Sequence, residues 1–199
     1  MSIIDLLLLP KKVYQKLSGK RSTLILSILL VGIADMVFSF VDNYSKIFVS
    51  KEPIILYFNI TLGVVLTILV GFIDILFFSM PLFDLFKIFS KEEPVVNGGE
   101  QLIKIMKVYA LANVLIVPLN LVLYIAFRNM GEGGSVLLSI LVNAATLWLA
   151  AAASRGINCI YKFIPPLKKM VFITVFMWGS ILSVALGYMV DNWLMLLFR

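Results

Sequence analysis

Five long apolar stretches, each with at most one charge, dominate this sequence and leave it few ways to fold. They run over residues 22–41, 54–80, 105–127, 135–154 and 170–190. Each reaches or exceeds the roughly 20 residues a helix needs to cross the hydrocarbon core of a bilayer. The second is the longest and should tilt or run past the interface. In lipid only a helix satisfies its own backbone groups, and a closed barrel would show short alternating segments, which these are not. The expected fold is all-α: a polytopic membrane protein, a bundle of five transmembrane helices with short interfacial helices, forming a single transmembrane domain over 1–199.

Composition agrees. Of 199 residues, 61% are hydrophobic and only 14% charged, too little polar surface to cover the core of a soluble domain of this length. The basic residues then orient the chain. The N-terminal flank and the loops after the second and fourth stretches hold Lys11, Lys12, Lys16, Lys20, Arg21, Lys87, Lys91, Lys104, Lys107, Arg155, Lys162, Lys168 and Lys169. The opposite side holds Lys46, Lys51, Arg128 and Arg199. This asymmetry predicts a cytoplasmic N-terminus, an outer C-terminus and an odd number of crossings, in an integral multi-pass protein of a bacterial plasma membrane. The first stretch reads as a span rather than a cleaved signal, because it is long and lacks a small-x-small cleavage site.

Two segments read as interfacial. In 81–91, Leu82, Leu85, Phe86 and Phe89 share one helical face while Asp84, Lys87 and Lys91 share another, a pattern suited to a short helix on the inner leaflet. Residues 3–17 begin with an apolar patch that ends at Pro10 and continue into a basic stretch. The alternative for both is a solvated basic loop. Gly98 and Gly99 then break the chain ahead of the third span. Gly63, Thr67 and Gly71, and likewise Gly179, Ser183 and Gly187, recur at intervals of four and allow close helix packing, within the chain or across a homodimer.

Chemistry has few carriers. The chain has no histidine, which removes the commonest general base and metal ligand. The lone Cys159 cannot form an intramolecular disulfide and has no histidine to activate it, so no catalytic residues, no metal and no cofactor are expected. The basic residues sit at membrane edges, as anionic inner-leaflet lipids would favour, and no nucleic-acid patch is present.

Intramembrane charge is costly and draws attention to Asp35 and Asp74. Counted at about 1.5 Å per residue, Asp35 lies deep, whereas Asp74 lies near the cytoplasmic end of the second span. The two are therefore not expected to pair. Asp74 is expected to form a structural ion pair with Lys107 or Arg155. Asp35 falls at the depth of Thr61, Asn120, Asn143 and Ser183, and Pro118 would free the Val114 carbonyl and kink the third span there. This polar layer reads first as helix-to-helix hydrogen bonding and second as an intramembrane substrate, proton or ion site.

Asn97-Gly98-Gly99 followed by Leu102, Ile105, Val108, Tyr109 and Ala110, together with Trp148, Ala150 to Ala153, Arg155 and Gly156, resembles the Yip1 family, in a compact prokaryotic form. The resemblance implies five spans and a non-enzymatic protein that organises or shapes the membrane through lipids or other membrane proteins. The long cytosolic N-terminal region and Asp-Leu-Tyr-Gly-Pro motif of eukaryotic members are not matched here, so their trafficking partners do not carry over. The alternative is a small transporter, channel or lipid-translocating protein that uses the polar layer around Asp35.

Overall fold

The computed structural model describes residues 5, 8–49, 52–89, 98–127, 131–161 and 163–197, with side chains omitted for 131–135 and 195–197. A short helix α1 (Lys11–Gln15) and a 3₁₀ turn (Arg21–Thr23) precede α2 (Leu24–Asp42). There follow α3 (Tyr44–Phe48), α4 (Pro53–Phe89), α5 (Gly98–Phe127), α6 (Gly131–Ile160) and α7 (Pro165–Leu197). Five helices are long and apolar enough to cross a membrane. The protein is an all-α, multi-pass integral membrane protein.

Contacts fix how the helices are arranged. α2 packs on α4 and α5, α6 sits between α5 and α7, and α7 closes back on α4. α2 and α4 approach each other closely. A Cβ on Gly32 would lie 1.9 Å from the Thr67 carbonyl oxygen, and one on Gly71 would lie 2.2 Å from that of Ile28. Two of the three small residues on α4 thus allow backbone-to-backbone contact, as small residues at this spacing do in lipid. The α7 series behaves differently: Gly187 has nothing within 4 Å of its would-be Cβ.

The expected separate helix over 81–91 does not form. Residues 81–89 continue α4 without a break, and 90–91 lie outside the described residues. At 37 residues, α4 is about 55 Å long, well beyond a hydrocarbon core of about 30 Å. Packing holds the extension upright. Leu82 and Phe86 are buried, and the Phe86 ring meets those of Tyr161 and Phe163 edge-on at 6.2 and 5.6 Å. Its apolar face was legible in the sequence, but protein covers Leu82 and Phe86 of that face, while Phe89 stays exposed. Pro81 leaves the Phe77 carbonyl without a helical donor, and Trp178 Nε1 on α7 donates to it at 3.0 Å. α5 likewise runs on through Pro118 to Phe127.

The start of the chain folds over one end of the bundle. Most of the expected interfacial patch lies outside the described residues, but Tyr14 of α1 is buried and packs at Gly156 of α6. Its hydroxyl donates to the Leu8 carbonyl at 2.9 Å. Between them Leu9 adopts φ 62°, a left-handed conformation that costs a leucine about 1–2 kcal/mol. Burial pushes the Tyr14 hydroxyl pKa up to about 12, against a smaller lowering by Arg155.

Candidate functional site

Asp35 and Asp74 come together. Asp35 descends from α2 and Asp74 from α4, and their carboxyl groups lie within hydrogen-bonding reach of each other. The depth count failed because it placed the end of the second span near Met80. The helix runs nine residues past Met80 to Phe89, about 13 Å further. That shift carries Asp74 to the level of Asp35.

Nor does Asp74 pair with Lys107 or Arg155. Tyr109 Oη donates to Asp74 Oδ2 at 2.8 Å. The Tyr109 ring lies flat against Phe78, with centroids 3.7 Å apart and planes 13° from parallel. Phe78 is one turn beyond Asp74 on α4, so the stacking aims the phenol at the carboxylate. Lys107, two residues from Tyr109, points to the opposite side of α5. There its ammonium donates to the carbonyl oxygens of Ser18 and Lys20. Arg155 forms its ion pair with Asp5. The two cations clasp the N-terminal segment to the bundle and do not neutralise the intramembrane carboxyl groups.

Above the carboxyl pair lies a cavity of about 450 Å³ lined by α2, α4, α5, α6 and α7. Its floor is Asp35, Asp74, Tyr109 and Asn113, and Asn113 Nδ2 donates to the Tyr109 carbonyl at 3.2 Å. Asp42 and Asp191, both exposed, line its far end. There Tyr124 Oη donates to Asp42, Ser39 Oγ donates to Asp191 Oδ1 at 3.3 Å, and Phe38 meets Tyr124 edge-on at 5.3 Å. From Tyr109 to Tyr124 the wall follows fifteen residues of α5, about 22 Å. Gly179, Ser183 and Gly187 of α7 line this space, so their small side chains leave room in the cavity where close helix packing was expected.

The expected polar layer is only partly assembled. Asp35, Asn120 and Ser183 face the cavity. Thr61 is exposed and bonds back to the Tyr57 carbonyl at 2.9 Å, and exposed Asn143 bonds to the Ser139 carbonyl at 2.8 Å. Both satisfy themselves within their own helix and contribute nothing to the site. Three buried oxygens, Asp35 Oδ2 and Asp74 Oδ1 at the floor and Asn120 Oδ1 one turn below Tyr124, receive no N–H or hydroxyl donor from the described residues. In the sequence Tyr109 stood out only within the family resemblance, and Asn113, Tyr124, Asp42 and Asp191 did not stand out. The spacing of Tyr109, Asn113, Asn120 and Tyr124 on α5, in steps of four, seven and four, was the available signal, since it places polar groups along one helical stripe.

No protein-family model matches the sequence, and neither does any curated protein or solved structure.

Proposed function

We propose that this chain is a small transporter in which the Asp35–Asp74 pair exchanges a proton for a solute held in the cavity above it. The observation that carries the reading is the meeting of two intramembrane carboxyl groups at the floor of a cavity that reaches the exposed Asp42 and Asp191. A carboxyl group placed in lipid is costly. A merely structural pair would be expected to sit against a cation, yet Lys107 and Arg155 turn to the N-terminal segment instead. Two carboxyl groups at this range can share one proton, with one O–H donating to the other's oxygen, and release it when another positive group arrives. The cavity is walled by helices of one chain, so the reading needs no second copy. With a cytoplasmic N-terminus the cavity faces outward, and the clasped N-terminal segment closes the inner end.

The Yip1 resemblance supports a different reading, a membrane-organising protein that acts through lipids or other membrane proteins. That reading leaves the carboxyl pair and its cavity without a task, so it ranks second.

The test uses proteoliposomes with a pH-sensitive dye inside and a panel of organic cations, sugars and organic anions outside. Wild type should move protons in response to at least one class, and folded Asp35→Asn and Asp74→Asn should not. No solute-dependent proton movement by wild type would overturn transport and favour membrane organisation.

A further inference from the structure

The lining of the cavity narrows the class of solute. Among the described residues its ionisable groups are Asp35 and Asp42 on α2, Asp74 on α4, Tyr109 and Tyr124 on α5, and Asp191 on α7; the described side chains of α6 supply none, and no described lysine or arginine lines it. An anion would meet carboxylates at the floor and at the mouth. A neutral polar solute would find oxygens of Asp35, Asp74 and Asn120 that receive no described N–H or hydroxyl donor but no described positive group to orient it. Calcium or magnesium needs six or more oxygen ligands close together, and no group of three metal-ligating side chains occurs among the described residues.

The walls between floor and mouth are mostly apolar, with aromatic rings from Phe38 and Phe176. Such surfaces suit the body of a lipophilic cation, both by dispersion and by attraction of positive charge to ring faces. A volume of about 450 Å³ falls within the range of about 300–1,000 Å³ that holds drug-sized ligands. Asp74 supplies the recognition group: it is fully buried, it lines the cavity, and its Oδ1 receives no donor from a described N–H or hydroxyl.

We infer that the cavity binds an organic monocation, a quaternary onium ion or protonated amine with apolar substituents, whose charge takes the place of the proton shared by Asp35 and Asp74. The exchange balances: one proton leaves a carboxyl O–H for water, and one positive charge settles against the carboxylate left behind. Protons and cation compete for one site, so binding weakens as the medium is acidified. The inference deepens the transport reading, and rests on it only for movement across the membrane.

The test is calorimetric titration of the detergent-solubilised full chain with tetraphenylphosphonium, tetraethylammonium and tetraphenylborate. At least one onium ion should bind, with protons released in near-equal number and affinity rising with pH. Tetraphenylborate, matched in shape and opposite in charge, should not bind. Asp74→Asn should weaken the onium ion by about thirtyfold or more. Should that variant misfold, Asp191→Asn at the exposed mouth should weaken it severalfold. Equal binding of borate and phosphonium, binding unaffected by pH and by both substitutions, or no binding of either onium ion would overturn the inference. Proton movement driven by sugars or anions, without onium binding, would sink the cation class and leave transport standing. Onium binding without proton movement in vesicles would do the reverse.

Discussion

The indole Nε1 of Trp178 donates to the carbonyl of Phe77, the carbonyl from which Pro81 withholds the usual helical donor. One side chain on α7 thereby repairs the break that a proline makes in α4. Trp178→Phe should therefore cost about 1 kcal/mol of thermal stability in detergent, in the range of interhelical hydrogen bonds in membrane proteins. In a Pro81→Ala background, where the backbone can supply the donor, the same substitution should cost less. A thermodynamic cycle that returned no coupling between positions 81 and 178 would refute this account.

The contact between α2 and α4 makes a sharper forecast. Gly32→Ala would drive a Cβ into the Thr67 carbonyl oxygen at 1.9 Å, and backbone cannot step aside as a flexible side chain can. The expected loss is about 1–3 kcal/mol or more, read as a lower melting temperature. Gly99→Ala, whose Cβ meets nothing within 4 Å, should be neutral or stabilise by about 0.5–1 kcal/mol, because glycine is a poor residue in a helix. Similar melting temperatures for the two variants would refute the close approach.

These contrasts also show what the sequence disclosed. Five spans and their order were legible because lipid demands long apolar helices, and that signal survives errors of several residues at each end. The pairing of Asp35 with Asp74 was not. It depended on where α4 ends: the expected span stops at Met80, whereas the helix runs on through Pro81 to Phe89, with Trp178 donating to the carbonyl that the proline leaves free. The polar layer was read by depth alone, which ignores which way each side chain turns around its helix. Asn120 and Ser183 turn into the cavity, whereas Thr61 and Asn143 turn out and bond to their own backbones. The aspartates at the mouth escaped notice because the ends of spans ordinarily carry charge.

The N-terminal clasp should be measurable by proteolysis. Lys107 holds the carbonyls of Ser18 and Lys20, and Arg155 holds Asp5. Lys107→Met removes the first tether and leaves two carbonyls without their donor, a loss of about 1–3 kcal/mol in local stability. Trypsin should then cut at Lys11, Lys12, Lys16 and Lys20 about tenfold faster or more, with the remainder of the bundle unaffected. Unchanged cleavage would mean that the Arg155–Asp5 pair, Tyr14 and the apolar contacts hold the segment without Lys107.

Tyr14 provides a pH test of that segment. Its hydroxyl is buried and donates to Leu8, and the tyrosinate formed by losing its proton could do neither comfortably. The folded pKa is about 12 against an ordinary value of 10.0. Above pH 10 the unfolded form therefore binds fewer protons than the folded form, and stability falls as pH rises. The contribution from this group is fully present below pH 10 and lost as pH passes through about 12. The difference in ultraviolet absorbance between wild type and Tyr14→Phe should titrate near 12. The stability margin of wild type over the variant should shrink across the same interval. Titration of the difference signal near 10 would place Tyr14 in water and undo the docking of α1 against Gly156.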